Sequence, residues 1–136
     1  MGLLSRFRRP PPVPEVRADD PGLVVVASSF DPAVADSAVV AQSLADGRVD
    51  PDRPVLLRHH LHGLEPQREA LAGLLDPSYA LVVGEVVGEG RLLVQRSQPL
   101  TALGVAQERT RMAGLAQRLG GEALGWDALQ APLTRG

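Results

Sequence analysis

The chain has 136 residues and a formal charge of −2, from 14 basic and 16 acidic side chains. It contains neither cysteine nor lysine, which excludes thiol nucleophiles, disulfides, cysteine-ligated metals, P-loop lysines and Schiff bases. The length suits one domain, and 44% apolar residues with only 3% aromatic residues predict a largely aliphatic core.

Residues 1–21 are predicted to form a flexible, basic, proline-rich tail, and residues 22–136 a single domain. Four prolines between Pro10 and Pro14 favour extended chain over helix or central strand. Through Arg17 the tail holds four arginines and one glutamate, a net charge of +3, which leaves −5 on the rest of the chain. No stretch reaches the roughly 20 apolar residues that a membrane span requires, and no secretory signal pattern is present. We therefore expect a cytoplasmic protein.

The first elements of the domain are a short strand and a helix. The β-branched run Leu23–Val26 predicts a strand or an extended entry segment. Asp31-Pro32 is typical of a helix start, with Asp31 as the N-cap and Pro32 at the first helical position. Gly47 is predicted to end this helix at its C′ position.

The segment Val55–His62 alternates as a strand does. One face is predicted to carry Val55, Leu57, His59 and Leu61, and the other Leu56, Arg58, His60 and His62.

Two helices and three strands are predicted beyond this strand. The apolar spacing of the long helix places Glu108 on its water-facing side. Gly88-Glu89-Gly90 predicts a hairpin between the two middle strands. The predicted elements are a helix at Pro66–Leu75, strands at Tyr79–Val87 and Arg91–Gln98, a helix at Ala102–Leu119 and a final strand at Glu122–Leu129.

The order of these elements predicts an α+β fold. From Val55 onward it is strand, helix, strand, strand, helix, strand, which is the ferredoxin-like arrangement with both helices on one face of an antiparallel sheet. The helix that begins at Asp31 is an N-terminal addition to that arrangement. An exposed sheet face is also compatible with a homodimer.

The histidines are the only residues that suggest a chemical site. His60 and His62 share one strand face and would need a third ligand, such as Glu85, to hold a divalent metal, while the neighbouring Arg58 opposes a cation there. His59 is expected to be a core histidine. A histidine general base is a further option, although no partner nucleophile accompanies it. We predict no metal site, no cofactor and no catalytic residue.

Three segments resemble the regulator of ribonuclease E activity B family (RraB). The stretch DPDRPVLLRHHLH, Asp50 to His62, is similar to the family's Arg-Pro and the strand with paired histidines that follows it. EPQREALAGLLDPSYALVVGEV is similar to the next helix and strand. RMAGLAQRLGGEALGW, Arg111 to Trp126, is similar to the family's ending of Met, Leu-Ala, Gly-Gly-Glu and Gly-Trp.

The resemblance implies a non-enzymatic regulator that binds a ribonuclease E-type endoribonuclease, or another RNA-decay protein, and modulates RNA cleavage. Direct nucleic-acid binding is not expected, because large aromatic residues for base stacking are scarce. The alternative is a protein-interaction or ligand-binding or metal-binding module that shares only the scaffold. Trp126 is expected either to lock the last segment against the sheet or to contact the partner. The candidate partner-binding surface is the polar side of the strands, with Arg58, His60, His62 and Arg96 on it, together with the segment around Trp126.

Overall fold

The computed structural model describes residues 16–17, 20, 22–83 and 91–132. These residues form five strands, three α helices and one short 3-10 helix. The strands are β1 (Val24–Ser29), β2 (Val55–His62), β3 (Ala80–Val83), β4 (Arg91–Gln98) and β5 (Glu122–Gln130). The helices are α1 (Asp36–Ala45), the 3-10 turn Glu65–Gln67, α2 (Arg68–Leu74) and α3 (Ala102–Arg118).

The strands form one antiparallel sheet in the order β1-β5-β2-β4-β3. The α+β class predicted from the sequence is confirmed. The order β5-β2-β4-β3 is compatible with a ferredoxin-like arrangement, because each helix of the βαβ halves connects two strands separated by a third. β1 is an additional edge strand that pairs with β5.

Helix α1 begins later than the sequence predicts. Residues 31–34 form a turn, in which the Asp31 carboxylate accepts from the Ala33 N–H at 2.9 Å and the Asp31 carbonyl accepts from the Val34 N–H. The helix starts at Asp36, so the predicted N-cap at Asp31 is wrong. The predicted end is confirmed. Gly47 has φ +68°, and two backbone hydrogen bonds, Gly47 to Leu44 and Arg48 to Ser43, close a Schellman motif there.

The helices cover one face of the sheet, here called the helix face. Its strand residues alternate as predicted along β2, with Val55, Leu57 and Leu61 fully or almost fully buried. Two adjoining apolar clusters make the core, one beneath α1 and the start of α3, the other beneath α2 and the end of α3. Fully buried members include Val55, Leu57, Leu61, Leu71, Leu92, Val94, Val105, Met112, Ala116, Trp126 and Ala128.

The opposite face of the sheet, here called the second face, is ordered in cross-strand rows. Strand register places Arg91, His62 and Glu122 in one row at the end of the sheet. Moving along the strands, the next rows are Leu93, His60 and Gly125, then Gln95, Arg58 and Asp127, then Ser97, Leu56 and Leu129.

Residues just before β1 contact this second face. The Val16 N–H donates to the Ser97 hydroxyl at 3.1 Å. The Arg17 N–H donates to the Asp20 carboxylate, and the Asp20 N–H donates to the Arg17 carbonyl. Three residues of the predicted tail thus make defined contacts. The remainder of the tail and the predicted Gly88–Gly90 hairpin lie outside the described residues. Among the helices described, none combines the length and the apolar character that crossing a bilayer demands.

Candidate functional site

Arg58, Asp127 and His60 form a compact polar cluster on the second face. Arg58 Nε and Nη2 donate to the two carboxylate oxygens of Asp127, each at 2.7 Å. His60 Nε2 lies 3.2 Å from Asp127 Oδ2. Since a carboxylate can only accept, His60 donates its Nε2–H to Asp127. The other ring nitrogen, Nδ1, has no bonding partner among the described residues.

Local sequence explains how this cluster is assembled. Arg58 and Asp127 are register partners on β2 and β5, so their side chains leave the sheet side by side. One row along, His60 pairs with Gly125, where a side chain would collide with the backbone of Ser29 and the ring of Phe30. Gly125 therefore lets Phe30 come close, and its ring packs edge-on against His60 with centroids 4.9 Å apart. His60 is only 2% exposed as a result.

Charge pairing sets the ionisation of the cluster. Burial raises the pKa of Asp127, but the hydrogen bonds from Arg58 and His60 outweigh it and hold that pKa below the ordinary value. The hydrogen bond to Asp127 raises the pKa of Arg58. The cluster is thus a paired cation and anion with an imidazole bonded to the same carboxylate, an arrangement suited to holding two strands in register.

The end row of the second face has a different character. His62 is 53% exposed and Glu122 is 69% exposed, and His62 Nδ1 lies 4.0 Å from a Glu122 carboxylate oxygen. Arg91 is the register partner of His62 on the other side. We call Arg91, His62 and Glu122 the end row. It displays a cation, an imidazole and a carboxylate side by side on three neighbouring strands.

Arg96 lies on the helix face, away from Arg58. Its register partner is Leu57, a member of the helix-side core. Arg96 Nη2 donates to Glu108 Oε1 at 2.5 Å, and its guanidinium stacks over the Tyr79 ring at 4.4 Å. Its expected placement beside Arg58 was wrong, because alternation within each strand does not fix the register between strands.

Glu108 is buried on the helix face, so the prediction that it faces water was also wrong. Its carboxylate accepts from the Tyr79 hydroxyl at 2.5 Å as well as from Arg96. Arg111 in turn donates to the Tyr79 hydroxyl at 2.9 Å. Burial and then the hydrogen bond to Glu108 raise the pKa of Tyr79.

His59 is buried beneath α3, on the face that the sequence predicts. Its register partners are Val94 and Trp126. Desolvation lowers the pKa of His59 to about 4, so the imidazole is neutral at physiological pH. Its Nε2 has no bonding partner within the described residues.

Trp126 is fully buried in the core beneath α1. Its indole N–H donates to Asp36 Oδ1 at 3.1 Å, and Arg109 of α3 donates to the same oxygen at 2.6 Å. Burial raises the pKa of Asp36, but the hydrogen bonds from Arg109 and Trp126 overcome it and lower that pKa. These three residues tie α1, α3 and β5 together, and in this conformation Trp126 has no surface to present to a partner.

The five candidate residues therefore do not form one surface. Arg58, His60 and His62 share the second face, whereas Arg96 and Trp126 lie on the helix face. Only His62 is well exposed. Sequence reasoning missed Asp127 and Glu122, whose positions beside Arg58 and His62 depend on the register of β5. It also missed the Tyr79–Glu108 contact.

The described residues contain no cluster of three or more His, Asp or Glu placed to hold a metal ion. A cavity of about 330 Å³ lies on the second face near Val16, Leu56 and Ser97. A second, of about 430 Å³, lies between β1 and α1. Neither is lined by the Arg58–Asp127 cluster or by the end row.

Comparisons with protein-family models, curated proteins and solved structures give no match to this chain.

Proposed function

We propose that this protein is a non-enzymatic regulator resembling the RraB family, and that it binds a ribonuclease E-type endoribonuclease and modulates RNA cleavage. The proposal starts from the three similar segments, which span most of residues 50–126. The strand order β5-β2-β4-β3 is compatible with the ferredoxin-like arrangement expected from the sequence, which supports the proposal.

The observation that supports a binding function is that buried and half-buried charged groups are paired with one another. Arg58 is paired with Asp127, and Arg96 with Glu108. A general acid or base must reach a substrate proton. The charged groups of these two clusters are instead directed at one another, where they stabilise the contacts between elements. That use of polar residues favours a protein that acts through its surface.

The end row is the surface that we assign to the partner. A cation, an imidazole and a carboxylate on three adjacent strands offer a fixed pattern of donors and acceptors that discriminates between partners. Arg58 lies on the same face, two rows from the end row, and His60 lies between them. Loss of side chains from the end row leaves the core packing intact, because His62 and Glu122 are both more than half exposed.

The binding experiment immobilises the endoribonuclease and measures the dissociation constant of the wild-type protein and of the double variant His62→Ala, Glu122→Ala. We expect wild-type binding and at least a tenfold weaker double variant, about 1.4 kcal/mol or more. Gln117→Ala, an exposed change on α3, is the matched control and should bind like the wild type. Absence of wild-type binding would remove the proposal, and equal binding by the double variant would remove the end row from it.

A second candidate function, a small-ligand module on the same scaffold, is favoured by one observation. Nδ1 of His60 is a buried polar nitrogen without a described partner, and such atoms normally form a hydrogen bond. Thermal-shift measurements with divalent metal salts and small metabolites test this reading. A stabilisation that disappears in His60→Phe supports it, whereas no stabilisation by any of them eliminates it.

A further inference from the structure

Strand β1 leaves one edge of the sheet open. It lies at the end of the strand order, and no described residue pairs with its outer edge. An open edge offers a row of unpaired N–H and C=O groups to another chain, and proteins usually protect it with charged residues or proline. The six residues of β1, VVVASS, include neither. Val26 is the additional residue of a bulge opposite β5, which is the only protective feature within the strand.

Exposed apolar side chains are concentrated at this edge. Of the eight large apolar side chains that are exposed within the described residues, four lie on β1 or in the loop that follows it. The other four are dispersed over four different elements. Three of the four at the edge, here called the β1 patch, are Val24, Val25 and Val34. Phe30 instead turns over the second face towards His60. Clustering of this kind marks an interaction surface.

A groove runs beside the open edge. The cavity of about 430 Å³ between β1 and α1 has Val25 and Ala27 on its strand side and Ala38 and Val39 on its helix side. A strand added to β1 would direct alternate side chains into this groove. The edge therefore supplies backbone hydrogen bonds, and the groove supplies contacts for side chains.

We infer that a second copy of this chain occupies the edge, and that two β1 strands pair antiparallel about a two-fold axis to make a continuous ten-stranded sheet. A strand that pairs with this edge should be uncharged and rich in β-branched residues. β1 itself has these properties, and two of its valines are exposed. In such a dimer the β1 patch of one copy contacts the β1 patch of the other, as a two-fold interface requires. A stable interface buries about 800 Å² per subunit, which is more than backbone pairing of one short strand provides, so the β1 patch and the walls of the groove take part.

The absence of charged side chains within β1 permits pairing of identical strands. With the axis between Val26 and Ala27, Val25 of one copy lies opposite Ser28 of the other. The two Asp31 residues, which follow β1, then fall at opposite ends of the pair, about 30 Å apart at about 3.3 Å per residue. That distance exceeds the Debye length of about 8 Å at physiological salt, so the two Asp31 carboxylates do not repel each other measurably.

The primary test is light scattering coupled to size exclusion over a wide range of protein concentrations. We expect the wild type to approach twice the monomer mass of 14.4 kDa. Val25→Lys should weaken the dimer at least tenfold, because it buries a charge in an uncharged edge. Val82→Lys on the other edge strand and Leu103→Lys on α3 are matched controls at exposed apolar positions, and both should remain dimeric.

A second measurement does not depend on the folding of Val25→Lys. Since the chain has no cysteine, Ser28→Cys carries a single pyrene label. Paired β1 strands bring the two labels together and give excimer emission, whereas a label on Leu103→Cys gives none. A wild type that is monomeric at every concentration overturns the inference. This holds even if the monomer binds an extended apolar peptide. A dimer that Val82→Lys disrupts, or one without Ser28→Cys excimer, also overturns it.

Discussion

Arg58 and Asp127 face each other across the central strand pair β2 and β5 and share two hydrogen bonds of 2.7 Å. Neither residue type is apolar, yet the pair lies within a largely buried row of the second face. The pair thus acts as a register clamp, because a shift of one residue would turn Asp127 to the helix face and leave Arg58 unpaired.

A double-mutant cycle measures the strength of this clamp. Asp127→Ala should destabilise the protein by about 3 kcal/mol, since it leaves an uncompensated arginine; this is the low end for a buried pair because the Arg58 side chain is 22% exposed. Arg58→Ala should cost a similar amount, and the double variant clearly less than the sum. Chemical denaturation gives the three values. Arg48→Ala, which breaks an exposed ion pair with Asp46, is the control and should change stability by less than about 0.5 kcal/mol. Additive single variants would contradict a clamp.

His59 gives the protein a defined acid sensitivity. The pKa of His59 is about 4 in the folded protein, and its ordinary value is 6.5. Between these two pH values the unfolded chain therefore binds a proton that the folded chain does not. This contribution to stability is complete above pH 6.5 and is lost as the pH falls from 6.5 towards 4. Between pH 7 and pH 5 it amounts to about 2 kcal/mol.

The His59 contribution is measured as the difference in unfolding free energy between the wild type and His59→Leu at each pH. The free energy of unfolding of His59→Leu should rise relative to that of the wild type as the pH falls from 6.5 towards 4. Gln117→Ala, an exposed change on α3 at a residue that does not titrate, is the control and should retain the wild-type pH dependence. A wild-type curve parallel to that of His59→Leu would show that the imidazole is accessible to protons in the folded state.

Tyr79 reports directly on the Glu108 network, because it is the single tyrosine of the chain. Burial and the bond to Glu108 raise its pKa above the ordinary 10.0, so phenolate absorbance should appear late in an alkaline titration. Glu108→Gln removes the carboxylate charge and should lower the midpoint. Fluorescence of Trp126, the only tryptophan, verifies that the fold persists across the titration. An unchanged midpoint in Glu108→Gln would place Tyr79 outside the network.

Gly125 and Gly114 make a matched pair of glycine substitutions. Gly125 has φ +154°, and a methyl group there would collide with the Ser29 carbonyl and Phe30. Gly125→Ala should destabilise the protein by more than about 2 kcal/mol and displace Phe30 from His60. Gly114 lies in α3 with open space around it, so Gly114→Ala should stabilise by about 0.5–1 kcal/mol. Thermal unfolding distinguishes the two, and a tolerated Gly125→Ala would refute the close approach of Phe30.

Much of the secondary structure follows from local pattern. The bounds of β2 and β4 were predicted to the residue, because both strands contain apolar runs and both are flanked by glycine and proline. The start of α1 was missed, because Asp31 bonds the Ala33 N–H within a separate turn. Asp36 in the first turn of the helix instead meets Arg109 and Trp126, two contacts that no local pattern reveals.

The candidate site was only partly predictable for the same reason. Alternation correctly placed Arg58, His60 and His62 on one face. It did not place Arg96, since the face that Arg96 shares with β2 depends on which β4 residue pairs with Leu57. The burial of Glu108 depends on Arg96 and Tyr79, which lie 12 and 29 residues away in sequence.

The most direct test of the proposed function is the initial rate of RNA cleavage by the ribonuclease E-type enzyme, measured while the protein is titrated in. We predict a saturable change in rate, with the curve displaced to higher concentration for the double variant His62→Ala, Glu122→Ala and not for Gln117→Ala. A cleavage rate that stays constant up to the highest concentration of wild-type protein would contradict the proposal.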